Sequence, residues 1–88
     1  MNIDTSTELI LEYLLKNPEA GDTLEGIVYW WMVRERIEHN VVKISAILDQ
    51  LIIDKILIKR EISPGRVIFR INPVKLEEVS RIIDKSDK

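Results

Sequence analysis

The sequence predicts an α+β fold in which three helices are followed by a two-stranded β-hairpin and a C-terminal helix. Three observations carry that prediction. Apolar residues recur at three- and four-residue spacing in four separate stretches, the mark of amphipathic helices. Two runs rich in β-branched residues, 56–62 and 67–71, flank the turn Ser63-Pro64-Gly65-Arg66. Asn72-Pro73 reads as a helix start, a cap residue followed by proline at the first helical position.

Each element follows from local chemistry. Thr5 with Glu8 three residues on fits a capping box, so a first helix is expected to begin there. Its buried face is Ile10, Leu11, Leu14 and Leu15, with Tyr13 beside them, and Asn17-Pro18 ends it because the residue before proline is steered out of the helical region. Gly21 supplies a turn, and Asp22 with Glu25 reads as a second capping box. Leu24, Ile27, Val28 and Trp31 then form a helical stripe. Gly26 inside that helix costs on the order of 1 kcal/mol relative to alanine, a cost that a close helix–helix approach would explain. Residues 32–39 alternate Val33, Glu35 and Ile37 with Arg34, Arg36 and Glu38, which predicts a short extended segment or long turn.

Asn40 is the expected cap of a third helix reaching about Asp54. Val41, Ile44, Leu48, Leu51 and Ile52 form its predicted buried face, with Ile47 at the margin. Val42, Lys43, Ala46, Asp49, Gln50 and Ile53 form its outer face. In the turn that follows the first strand, proline at i+1 and glycine at i+2 suit type II geometry. The strands should pair antiparallel, with Phe69 among the core-facing candidates. The last helix carries the stripe Leu76, Val79, Ile82 and Ile83.

Composition narrows the function. With 88 residues, 1–88 is expected to be a single domain, since domains typically run ~50–250 residues. The chain is 45% hydrophobic and 32% charged, so it folds rather than remaining a disordered tail. It has no cysteine, which excludes a disulfide scaffold, a thiol nucleophile and a Cys-ligated metal. His39 is the single histidine, too few for a multi-histidine metal site. The three glycines are dispersed, so there is no phosphate-binding loop, and no serine is placed with a base. Carboxylate pairs such as Glu8/Glu12 and Glu77/Glu78 lie on helix exteriors and read as solvated faces. No enzyme activity, no cofactor and no metal are expected. No apolar run approaches the ~18–20 residues that span a bilayer, and the start of the chain lacks a basic, then apolar, leader, so no membrane partner and a cytoplasmic location are expected.

The formal net charge is −2 and the pI about 5.4, which weighs against a dedicated nucleic-acid binder. The distribution points the other way. Residues 1–32 hold one cation, Lys16, against six acids, a local −5. Residues 55–70 hold Lys55, Lys59, Arg60, Arg66 and Arg70 against Glu61, a local +4. Such asymmetry makes a positive surface on a negative molecule. Lysines and arginines also protect exposed strand edges, so the same residues have a purely structural reading.

This order of elements, a third helix running through Asp54-Lys55 into two strands joined by Ser63-Pro64-Gly65-Arg66, resembles the winged helix-turn-helix fold. The resemblance spans roughly residues 5–83 and is one of element order, not of a residue signature. It implies a small DNA-binding protein, a transcriptional regulator, that touches double-stranded DNA with the third helix and a basic wing. Lys43 and Gln50 on the third helix, Lys59, Arg60 and Arg66 on the wing, and Arg34 and Arg36 before the third helix are the candidate contacts. The third-helix face is poor for this purpose, because Val42 and Ile53 have no phosphate chemistry and Asp49 repels phosphate. The connection over 32–39 is also longer than the usual tight turn. The alternative is a winged-helix module that binds protein, or itself, without DNA.

Self-association is the remaining expectation. A homodimer is predicted through the first and last helices, using Leu9, Leu15, Leu76, Val79 and Ile83, with Tyr29 or Trp30 at its edge. Trp31 reads as core. Trp30 is expected under the first or last helix, and Tyr29 exposed or at an interface.

Overall fold

The computed structural model describes residues 4–35 and 41–86. Helix α1 (Thr5–Leu15) is followed by a two-residue strand β1 (Asp22–Thr23), helix α2 (Leu24–Glu35), helix α3 (Val41–Ile53), strands β2 (Leu57–Ser63) and β3 (Arg66–Ile71), a 3₁₀ turn (Pro73–Lys75) and helix α4 (Leu76–Ser86). The helices, the hairpin and the closing helix thus stand in the predicted order. The addition is β1, which pairs antiparallel with β3 (Asp22 with Phe69, Thr23 with Ile68) and turns the hairpin into a three-stranded sheet of order β1-β3-β2.

The helix starts differ from the predicted caps by one residue each. At α1 the cap is Asp4, whose carboxylate accepts the Thr7 N–H at 2.8 Å, and Thr5 is already helical. At α2 the cap is Thr23, whose hydroxyl accepts the Gly26 N–H at 3.0 Å. Asp22 sits instead in β1. Its carboxylate accepts the Thr23 N–H at 2.8 Å and lies against Gly26, where any Cβ would collide with it. The glycine therefore accommodates a capping-region carboxylate, not a neighbouring helix.

The extended segment expected at 32–39 is corrected over its first part: α2 continues through Met32, Val33, Arg34 and Glu35. The apparent alternation had no burial behind it, since Val33 is 62% exposed. Arg34, one turn after Trp30, places its guanidinium 5.9 Å from the Trp30 ring centroid, a contact that only helical geometry supplies. Arg36, His39 and the expected cap Asn40 lie outside the described residues.

One connected core holds the elements together. Ile10, Leu11 and Leu14 of α1 meet Ile27, Val28 and Trp31 of α2 and Ile44, Leu48 and Leu51 of α3. Ile56, Leu57 and Ile71 at the hairpin base and Val79 and Ile83 of α4 complete it. Val41, predicted inside, is 44% exposed; it starts α3 at the rim of the core.

The end of α3 is a Schellman motif. Lys55 takes a left-handed conformation (φ 63°), its N–H donating to the Ile52 carbonyl at 3.0 Å while the Ile56 N–H donates to the Leu51 carbonyl at 2.9 Å. Buried Leu51 and Ile56 provide the apolar contact of that motif. Asn72 then ties the far end of the hairpin to the same corner. Its N–H donates to the Ile56 carbonyl and its side-chain amide to the Lys55 carbonyl, both at 2.9 Å. Its side-chain oxygen accepts from Val74, and Pro73 opens the helical turn as predicted.

Candidate nucleic-acid interface

At the wing tip Gly65 has φ +77°, the value a type II turn requires at that position. Glu61 pairs with Val67 but Ser63 pairs with Arg66, so Ile62 is an extra residue that bulges from β2. Pairing then divides the wing into two faces, because successive strand residues point to opposite sides. Leu57 and Ile71, both buried, define the face turned to the core, and Lys59 with Phe69 continues it towards the tip. Ile58, Arg60, Ile68 and Arg70 occupy the other face. Lys59 and Arg60, adjacent in sequence and grouped together by charge, are thus separated by the sheet.

Lys59 and Arg66 line a cleft of about 520 Å³ between the wing and the start of α2. Thr23, Leu24 and Glu25 form its other wall, and Val67 and Phe69 its floor. Arg60 is not part of it. Lys59, Arg60 and Arg66 are all exposed, and none forms an ion pair among the described residues.

The wall opposite the wing is pinned by Tyr13. Its hydroxyl donates to Asp22 Oδ2 at 2.6 Å and its ring stacks on Trp30, with centroids 4.5 Å apart and planes 20° apart. The hydrogen bond to Asp22, then burial, then the carboxylate charge push the Tyr13 pKa up to about 12. This contact ties α1 to β1 at the point where β1 leads into α2. At α1 the hydrogen bonds from Thr7 hold the Asp4 carboxyl below its ordinary value; slight burial opposes them and the Lys43 cation adds to them.

The third-helix candidates are less available. The Lys43 ammonium stands 5.9 Å from the Trp31 ring centroid, and Gln50 donates to Asp54, just past the end of α3, at 3.2 Å. The outer face of α3 is exposed as predicted, with Val42 at 84% and Ile53 at 71%. Arg34 lies over Trp30, and Arg36 is outside the described residues. The residues expected at a dimer interface are divided between the chain's core, its margin and its surface. Val79 and Ile83 are buried in the chain's own core, Leu9, Leu15 and Leu76 pack against it, Trp30 lies half-buried on Tyr13, and Tyr29 is exposed. The placement of Trp30 under the first helix and of Trp31 in the core agrees with the sequence reading.

Sequence reasoning missed the second wall of the cleft. Thr23, Leu24 and Glu25 reach the wing only because β1 pairs with β3, and a two-residue strand leaves no periodic signal.

Three helices, a short strand between the first two, a hairpin after the third and a closing helix define a winged-helix fold. Among solved structures the chain is similar to one described as MepR, a transcription regulator of the Staphylococcus aureus multidrug efflux pump MepA. The two share 19% identity with a TM-score of 0.69 over 98% of this chain and 62% of that one. At that identity the likeness establishes the fold alone, and this chain spans less than two thirds of the other's length. No protein-family model matches the sequence, and no curated protein does. Among the described residues no group of three or more His, Cys, Asp or Glu could hold a metal, and no helix is long and apolar enough to cross a membrane.

Proposed function

We propose that this chain is a winged-helix DNA-binding protein that serves as a transcriptional regulator in the cytoplasm, binding duplex DNA chiefly through its wing and catalysing no reaction. One observation carries the reading: a winged-helix fold whose wing presents Lys59 and Arg66 to solvent with no ion pair among the described residues. Each such cation can neutralise a phosphate and release a condensed counterion. The similarity to a structure described as a transcription regulator supports the same reading. The third helix contributes less than the usual share, since its outer face is apolar at both ends and Lys43 and Gln50 have partners of their own.

The test is retention of labelled duplex on a native gel at low salt. Wild-type protein should retard it, with retention falling steeply as salt rises. Replacing Lys59, Arg60 and Arg66 together by alanine should sharply weaken retention. No retention by the wild type, or an unchanged triple variant, would refute the reading.

A second reading is favoured by specific apolar exposure. Tyr29 is 70% exposed and lines, with Leu24, Val28, Met32 and Val41, a groove of about 290 Å³ between α2 and α3. This groove suits a protein partner or a second copy of the chain. A homodimer would use this side rather than Val79 and Ile83, whose side chains are committed to the core.

A further inference from the structure

We propose that the cleft between the wing and the first turn of α2 seats one sugar–phosphate strand of the bound duplex, held by Lys59 and Arg66, with Arg60 taking no part. The proposal rests on the DNA-binding reading and states which face of the wing does the binding. Its basis is the register of the sheet. Pairing of Lys59 with Phe69 and of Arg60 with Ile68 puts the two cations on opposite faces, and Lys59, not Arg60, lines the cleft. Arg66, at the tip, lines that cleft as well. At Gly65 nothing lies within 4 Å of where a Cβ would be, so the tip presents bare backbone that a strand can approach closely.

The opposite wall is anionic. Glu25 is exposed and lines the cleft across from the wing. Its carboxylate repels phosphate, so the strand lies against the wing side and the acid subtracts from affinity. The arrangement differs from a uniformly basic wing, for which Lys59, Arg60 and Arg66 would be interchangeable. Here two positions bind, one is silent and one opposes.

Four variants decide it by fluorescence anisotropy of a labelled duplex across a salt series: Lys59→Ala, Arg66→Ala, Arg60→Ala and Glu25→Gln. All four side chains are exposed, and unchanged circular dichroism confirms the fold. Each phosphate contact contributes about 0.9 to the slope of log K against log salt. Lys59→Ala combined with Arg66→Ala should therefore lower the slope by about 2, cutting the loss of affinity between 50 and 200 mM salt by roughly tenfold. Arg60→Ala should leave slope and affinity unchanged, and Glu25→Gln should tighten binding at low salt. An Arg60→Ala loss equal to that of Lys59→Ala, or no gain from Glu25→Gln, overturns the cleft while leaving DNA binding standing. No binding by the wild type overturns both.

Discussion

Gly21 and Gly65 both have positive φ, at +64° and +77°, yet alanine should be far costlier at the first. The left-handed region costs a non-glycine residue ~1–2 kcal/mol, and that penalty is common to both sites. At Gly65 nothing further is added, because a Cβ would project into open space. At Gly21 a Cβ would collide with the Phe69 carbonyl oxygen and stand 2.8 Å from Arg70 Cβ, where carbon atoms ordinarily keep ~3.5–4.0 Å. Neither obstacle is a mobile side-chain end. Relief requires moving β1 away from β3 and straining the Gly21 N–H bond to the Asn17 carbonyl, 3.0 Å long. Overpacking of this kind costs a further ~1–3 kcal/mol. Gly65→Ala should therefore destabilise by about 1–2 kcal/mol and Gly21→Ala by about 2–5 kcal/mol. In a domain of this size 1 kcal/mol shifts Tm by ~4–8 °C, so the two variants should separate clearly. Urea unfolding followed by circular dichroism, with slopes compared to confirm a common transition, measures both. Equal losses at the two sites, or a Gly21→Ala variant within ~0.5 kcal/mol of wild type, a margin typical of neutral surface changes, would refute the pairing of β1 with β3 as described.

Three further outcomes follow from single contacts. Lys55→Gly should stabilise the chain by roughly 1 kcal/mol, since Lys55 occupies the left-handed position of a Schellman motif where glycine is unstrained; thermal unfolding checks this. Tyr13→Phe should cost ~1–2 kcal/mol by removing a hydrogen bond to a carboxylate. Because the Tyr13 pKa is raised in the fold from 10.0 to about 12, the stability it contributes is complete below pH 10 and lost as pH rises through about 12. Alkaline unfolding of the wild type but not of Tyr13→Phe should show that dependence. Asp4→Ala should cost ~0.5–1 kcal/mol as a lost helix cap. The depressed Asp4 carboxyl contributes above its unfolded value of 3.8, and that part fades as pH falls through the folded value, so wild type and variant should converge in acid titrations of stability.

Much of this was legible because the signals were local. The stripes Ile10-Leu11-Leu14, Ile27-Val28-Trp31 and Ile44-Leu48-Leu51 are read from helical spacing alone, and each is buried. Pro64-Gly65 and Asn72-Pro73 state their geometry in two residues apiece. The misreadings arose where two local signals competed. Thr5 and Asp22 each fit a capping box, but Asp4 and Thr23, one residue away, make the hydrogen bonds. At 32–35 a chance alternation concealed a helix whose contact is Arg34 on Trp30. The site was legible only as charge. That Lys59 and Arg60 face opposite ways follows from strand alternation, but which of them shares a cleft with Glu25 depends on pairing between β1 and β3, distant in sequence.

Backbone amide shifts followed by NMR while unlabelled duplex is added at low salt test the proposed function most directly. Perturbations should concentrate on 57–71 and on Thr23, Leu24 and Glu25, and should vanish as salt is raised. Perturbations confined to Tyr29, Val42 and Ile53, or a spectrum that duplex leaves unchanged, would contradict a wing that binds DNA.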